Sequence, residues 1–272
     1  MRIFTLASPF LAVCLGTTSF AQEPQTIVPV DASIRQTFNL TVNDQRVLKA
    51  LIEIRDREPA TVREQIRLTE IPAPPFKEQQ RAAYYLERLL ALGMSNAYID
   101  QEGNVITLRE GSGNGPTFLV AAHLDTVFPE GIDTTVELRG GRYYAPGIGD
   151  DTRGLAAMLS LIETLNESGI ETVADIIFAA NVGEEGRGDL RGIKAIFRDY
   201  PEIDGFVSID GVQLRRITTG GTGSRRFEFR FKGPGGHSFG AFGLPSAIHA
   251  MGRAISKIAE FETPQYPKTT FT

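Results

Sequence analysis

Thr117-Phe118-Leu119-Val120-Ala121-Ala122-His123-Leu124-Asp125-Thr126 is an apolar run that ends in an imidazole and, two residues later, a carboxylate. The apolar and small residues Phe118 to Ala122, closed by polar ones, predict a buried strand of a parallel sheet. Open α/β sheets place their ligand sites at the carboxyl ends of such strands. Residues two apart in an extended segment face the same way, which puts His123 and Asp125 together at the strand tip. A carboxylate beside an imidazole orients it and raises its basicity as a metal ligand. A core histidine with an incidental aspartate is the other reading, and His-x-Asp alone does not separate the two.

The chain beyond this stretch repeats the pattern. Gly147-Ile148-Gly149-Asp150-Asp151-Thr152-Arg153-Gly154 is a glycine-rich loop feeding an amphipathic helix marked by Leu155, Met158, Leu159, Ile162 and Leu165. Asp175 to Ala180 predicts a second buried strand, closed by Asn181-Val182-Gly183-Glu184-Glu185-Gly186. A short helix from Leu190 to Phe197 and a strand from Gly205 to Ile209 follow, the strand ending in Asp210-Gly211. Strand and helix in alternation predict an α/β layered fold with a mixed, mostly parallel sheet and helices on both faces. After Asp210 the texture changes. Arg226 to Phe231 alternates charged and apolar residues, as an antiparallel strand with one wet face does. Gly233-Pro234-Gly235-Gly236-His237-Ser238 and a helix from about Ser246 to Phe261 complete what reads as the opening of a second, smaller domain.

Upstream, Gln22 to about Thr41 reads as a connecting arm; two helices follow, the second carrying Val62 and Ile66. Pro72-Ala73-Pro74-Pro75 marks a stiff turn. A helix from about Lys77 presents Ala82, Tyr85, Leu86, Leu89 and Leu90 on one face, and Gly93 ends it. Hairpins are expected around Glu102-Gly103-Asn104 and around Gly140-Gly141. At the amino end Arg2, the apolar Ile3–Leu15 and Ser19-Phe20-Ala21 read as a secretory signal cleaved after Ala21. The run is too short to span a membrane, so the mature chain is expected free of one, exported to the periplasm or the medium. A lipid anchor on Cys14 is the rival, disfavoured by the bulky Val13 before it. Cys14 is the single cysteine and would leave with the signal, so a metal site must be built from His, Asp and Glu. The net charge of −5 gives no reason to expect a nucleic-acid partner.

His123 with Asp125, Asp150 with Asp151, Glu184 with Glu185, and Asp210 thus all follow a predicted strand or open a helix. Any one alone is most simply a solvated loop acid. Together they converge on one crevice, because the tips of parallel strands do. Nitrogen and oxygen ligands without sulfur suit two close zinc ions, with cobalt or manganese also compatible. One acid can bridge such a pair while another accepts the proton of an activated water, and the adjacent Glu184 and Glu185 offer one of each role.

His123-Leu124-Asp125, Gly149-Asp150-Asp151, Gly183-Glu184-Glu185-Gly186, Ser208-Ile209-Asp210-Gly211 and Gly235-Gly236-His237-Ser238 resemble, in order and spacing, the motif series of the dizinc peptidase family. That family includes peptidase T, glutamate carboxypeptidase and the aminoacylases. The likeness runs from about residue 65 to residue 261 and takes in Ile71-Pro72-Ala73-Pro74 before the first long helix. It implies that His123 and Asp210 bind one metal, Glu185 the other, and Asp150 bridges both. It implies further that Asp125 orients His123 and that Glu184 is general base and then acid, and the peptide matching Asp150–Asp151 is often cis in that family. His237 would stabilise the oxyanion, in many members from a partner subunit.

One departure is plain: the family's last histidine ligand, which follows the lid, has no counterpart here. His249 falls in a predicted lid helix and reads as structural. The expected organisation is a signal peptide (1–21), an N-terminal arm with helices (22–64), a catalytic domain lacking its C-terminal part (65–213) and a partial lid or dimerisation domain (214–272). The expected activity is exopeptidase hydrolysis of short peptides, with a homodimer when full length and little activity from this chain alone. The alternatives are deacylation of N-acyl amino acids at the same centre, and a non-catalytic dimerising fragment.

Overall fold

The computed structural model describes residues 29–211, 216–221 and 223–272. The chain forms two compact units, residues 1–214 and 215–272. The signal peptide read at 1–21, with Cys14, lies outside the described residues.

The first unit opens with four helices: α1 (Ala32–Val42), α2 (Gln45–Asp56), α3 (Glu58–Glu70) and α4 (Gln79–Ala91). α1 falls where a connecting arm was expected. Its start is local chemistry: the Asp31 side chain accepts from Ser33 N–H at 2.7 Å and caps the first turn. None of its residues is buried, which is why apolar spacing did not reveal it. Strands β1 (Tyr98–Ile99), β2 (Val105–Arg109) and β3 (Thr117–His123) come next, then the hairpin β4 (Glu137–Arg139) and β5 (Arg142–Tyr144). α5 (Thr152–Ser168), β6 (Asp175–Asn181), α6 (Arg191–Asp199) and β7 (Ile203–Ser208) finish the unit.

The sheet runs β1-β2-β6-β3-β7. β3 pairs in parallel with β6 from Thr117↔Asp175 to His123↔Asn181, and in parallel with β7 on its other side. The β1–β2 hairpin pairs antiparallel to β6 at the edge, so the sheet is mixed. The apolar run of β3 is divided by the two-residue period of a strand. Leu119 and Ala121 face a cluster with Ile106, Ile177, Ala179 and Ile196 of α6. Ala122 and Leu124 join the larger cluster of Tyr85 and Leu89 from α4 with Leu155, Met158 and Ile162 from α5. Each fully buried large side chain stabilises this arrangement by roughly 1.5–3 kcal/mol. Helices on both faces are therefore a consequence of an apolar strand with two buried sides.

In the second unit α7 (Ala247–Ala259) occupies the predicted helix, capped by the Ser246 hydroxyl, which accepts from His249 N–H at 3.3 Å. Arg226–Phe231 does not become a paired strand. Phe227 and Phe229 do share a side, with ring centroids 6.4 Å apart, but among the described residues no partner strand supplies the ladder. Alternation specifies a face, whereas a sheet needs a second edge for its backbone N–H and C=O groups. Among the described residues no helix is long and apolar enough to cross a membrane.

Candidate metal centre

The carboxyl ends of β6, β3 and β7 lie side by side. Leu124 N–H donates to Asn181 O at 2.7 Å and Ile209 N–H to Ala121 O at 2.8 Å, so the ladder continues one step past the strands. β3 is also held from outside the sheet. The fully buried Arg81 of α4 donates through Nη1 to Leu124 O at 2.6 Å and through Nε and Nη2 to Ile71 O at 3.0 and 2.7 Å. Thr126 N–H donates to Ala73 O at 3.0 Å, tying the proline-rich turn to the same strand tip. Burial lowers the Arg81 pKa to about 10, with the Asp125 charge opposing.

His123 is buried between carboxylates. Its Nδ1 lies 2.9 Å from the backbone oxygen of Asp125; a carbonyl only accepts, so Nδ1 carries the proton. Nε2 is thereby aimed at Asp150 Oδ1, 2.9 Å away. Asp150 is joined to Asp151 by a cis peptide, as the resemblance implied. Asp151 turns inward: Oδ2 accepts from His123 N–H at 2.9 Å, and Oδ1 caps α5 by accepting from Gly154 N–H at 3.1 Å. Behind the loop, Thr152 Oγ1 donates to Gly147 O at 3.0 Å and meets Thr69 Oγ1 at 2.7 Å.

Asp125 is fully buried, and its carboxylate does more than stand beside the imidazole. Oδ1 stands 3.6 Å from His123 Nδ1, beyond hydrogen-bond range. The two oxygens instead accept from Glu184 N–H at 3.1 Å and Glu185 N–H at 2.8 Å, which fastens the paired-glutamate loop to β3. His123, Asp150 and Glu185 each offer a ligand atom, and these atoms all lie within 4.8 Å of one another. Asp210, exposed just past β7, is outside that triple, though its charge acts on Asp151 and Glu184. His237 belongs to the second unit, where its Nδ1 accepts from Phe239 and Gly240 N–H at 3.3 Å. His249 lies in the first turn of α7, as the helix reading required.

This donor set fits a divalent cation. The fixed tautomer leaves Nε2 as the free lone pair once the imidazole is neutral, and two carboxylates complete three protein ligands of nitrogen and oxygen type. Without a cation the site is charged against itself. Burial opposes protonation of His123, but the Asp125 carboxylate 3.6 Å from Nδ1, the charge of Asp151 and the hydrogen bond to Asp150 overcome it and raise the pKa to about 10. Burial raises Asp151 to about 8, with the His123 charge and N–H pulling it down. Burial also raises Glu184, and it raises Glu185 with help from the Glu184 charge. A positive ion relieves each of these strains at once.

Arg81 and Asp151 have structural duties here that the sequence did not disclose. An arginine within an otherwise apolar helical face, as Arg81 is beside Ala82 and Tyr85, was the one available signal.

Residues 119–217 match the model of the family described as Peptidase family M20/M25/M40. A Pyrococcus abyssi protein assigned as a LysW-lysine/LysW-ornithine hydrolase is 34% identical over 162 residues, 60% of this chain and 43% of that protein. Succinyl-diaminopimelate desuccinylase of Corynebacterium glutamicum is 27% identical over 204 residues, 73% of this chain and 54% of that enzyme. The chain thus spans about half the length of these relatives. A di-peptidase of Saccharomyces cerevisiae shares the fold, with a TM-score of 0.51 at 16% identity over 62% of this chain and 42% of that one.

Proposed function

We propose that this chain, whose residues 119–217 belong to peptidase family M20/M25/M40, carries the metal-binding part of an exopeptidase acting on short peptides. The observation that carries the reading is the convergence of His123, Asp150 and Glu185 donors within 4.8 Å, with a half-buried Glu184 adjacent. A divalent metal held by His123, Asp150 and Glu185 would supply a water of lowered pKa and polarisation of the scissile carbonyl. The chain's own residues do the rest. Glu184, its pKa raised by burial, accepts the proton of the attacking water and delivers it to the leaving amine. Asp125 holds the backbone of both glutamates in register with His123. Asp151 fixes the loop that presents Asp150.

The family resemblance supports the finer assignments. These would be a pair of zinc ions held by His123, Asp150, Glu185 and Asp210, a homodimer in which His237 would serve the oxyanion, and export of a chain relieved of residues 1–21. The experiment is hydrolysis of di- and tripeptides by the metal-loaded full-length protein, with N-acyl amino acids as the competing substrates. Chelator-sensitive peptide release is expected. N-acyl hydrolysis alone would transfer the site to deacylation, a reading that the peptidase description of the matched family disfavours. Glu184→Gln should keep the metal and lose about 10²–10⁴ in turnover; unchanged turnover removes Glu184 from its role.

A further inference from the structure

The paired-glutamate loop is gripped from two sides, and only one grip belongs to the residues already described. β6 ends at Asn181, so Val182 is the first residue past the strand, two positions before Glu184. Both of its backbone polar groups are nonetheless taken. Its N–H donates to the side-chain oxygen of Asn104 at 3.0 Å, and its carbonyl accepts from Gly192 N–H at 3.1 Å. Asn104 closes the triangle by donating through Nδ2 to Gly192 O at 3.1 Å. The same Nδ2 donates to Asp100 Oδ2 at 2.7 Å, so the amide's acceptor and both donors are used in a residue with no exposed surface.

The hairpin tip that presents Asn104 is itself pre-formed. Asp100 Oδ1 accepts from the N–H groups of Glu102, Gly103 and Asn104 at 2.9, 2.8 and 2.9 Å. On the far side, α6 reaches the amide only because residue 192 is glycine. A Cβ there would lie 2.2 Å from Asn104 Oδ1 and 2.5 Å from Val182 O. A buried polar network in which every group is satisfied admits one geometry, since any shift leaves an unpaired donor or acceptor.

We propose that Asn104 is a positioning residue that sets where Glu184 and Glu185 stand against His123 and Asp150. This rests on reading those four residues as the catalytic centre. Asn104 touches none of them; it acts through Val182, while Asp125 holds the other end of the same short stretch. The hairpin edge of the sheet, remote in sequence from every acid of the site, thus governs ligand placement.

The test uses the full-length protein. Asn104→Asp keeps the shape, removes the Nδ2 donor and sets a carboxylate against Asp100. Cobalt or zinc affinity, read by competition with a chromophoric chelator, should fall about 10–100-fold, and kcat by a similar factor with KM little changed. Gly192→Ala, which distorts the same triangle from α6, should reproduce both losses. Leu89→Ala, a core truncation on α4, is the control for stability alone and should leave metal affinity unchanged. In the unaltered protein the Val182 amide should exchange hydrogen as slowly as those of β6.

Unchanged metal affinity in Asn104→Asp, an equal loss in Leu89→Ala, or a Val182 amide exchanging like an exposed loop overturns the proposal. Metal affinity and exchange are measured without substrate. A protein that binds metal as described yet hydrolyses no peptide therefore refutes the functional reading and leaves this one standing.

Discussion

Replacing Asp125 by Asn changes one atom and should cost the protein a large fraction of its stability. The carboxylate of this fully buried side chain accepts two backbone N–H bonds, from Glu184 at 3.1 Å and Glu185 at 2.8 Å. An amide in the same place keeps one acceptor and turns an NH₂ toward the other N–H. The loss is one charge-assisted hydrogen bond, about 1.5–3 kcal/mol, plus the burial of unsatisfied donors, about 1–3 kcal/mol. A total of about 2.5–6 kcal/mol follows, against the 5–15 kcal/mol typical of a whole domain. Urea unfolding of chelator-treated protein, followed by circular dichroism, measures it directly.

The pH dependence carries the same argument. Burial works to raise the Asp125 pKa, but the His123 interaction and the Glu185 and Glu184 N–H groups outweigh it, and the folded value lies below the ordinary 3.8. A depressed carboxylate contributes stability that is present above its unfolded value and lost as pH falls through the folded one. The gap between native protein and Asp125→Asn should therefore narrow as the pH drops below about 4. A variant within about 1 kcal/mol of the native protein at neutral pH would refute this account of how the glutamate loop is held.

Metal uptake should release a proton. His123 is held protonated to about pH 10, and a ligating imidazole must be neutral, so titrating zinc into metal-free protein at pH 7.5 should eject about one proton from it. Calorimetry in two buffers of different ionisation enthalpy counts it, and no buffer dependence would contradict the assignment. Because that pKa is raised above the ordinary 6.5, the ion pair supports the metal-free fold fully below about pH 6.5 and is lost as pH rises through about 10. Gly154→Ala should weaken both fold and metal binding. Its Cβ would lie 2.2 Å from Asp151 Oδ1, displacing the carboxylate that caps α5 and takes His123 N–H. A loss of about 1–3 kcal/mol in thermal unfolding is expected, and an unchanged midpoint would count against Asp151 as the brace.

Much of the architecture was written locally. The apolar run of β3, the glycine-rich loop before α5 and the Asn181–Gly186 stretch after β6 each announced their element, because burial on both faces demands continuous apolar residues and a turn demands small or polar ones. Helix α1 escaped notice since it buries nothing, and Arg226–Phe231 suggested a strand whose pairing depends on another segment. The same limit applies to the site. His123, Asp150 and Glu185 were recognisable as candidates from their places at element ends, but the division of labour among neighbours was not.

Sequence alone determined which side chains stand at the tips of the parallel strands, because strand period and strand direction are properties of short segments. Only the tertiary structure decided that Asp125 serves the backbone of Glu184 and Glu185 more than the imidazole two residues away, that Asp151 braces His123, and that Asn104 reaches across the sheet edge to Val182. A hydrogen bond depends on positions within a few tenths of an ångström. Residues separated by 28, 59 or 78 positions acquire such positions only when the whole sheet has closed around them.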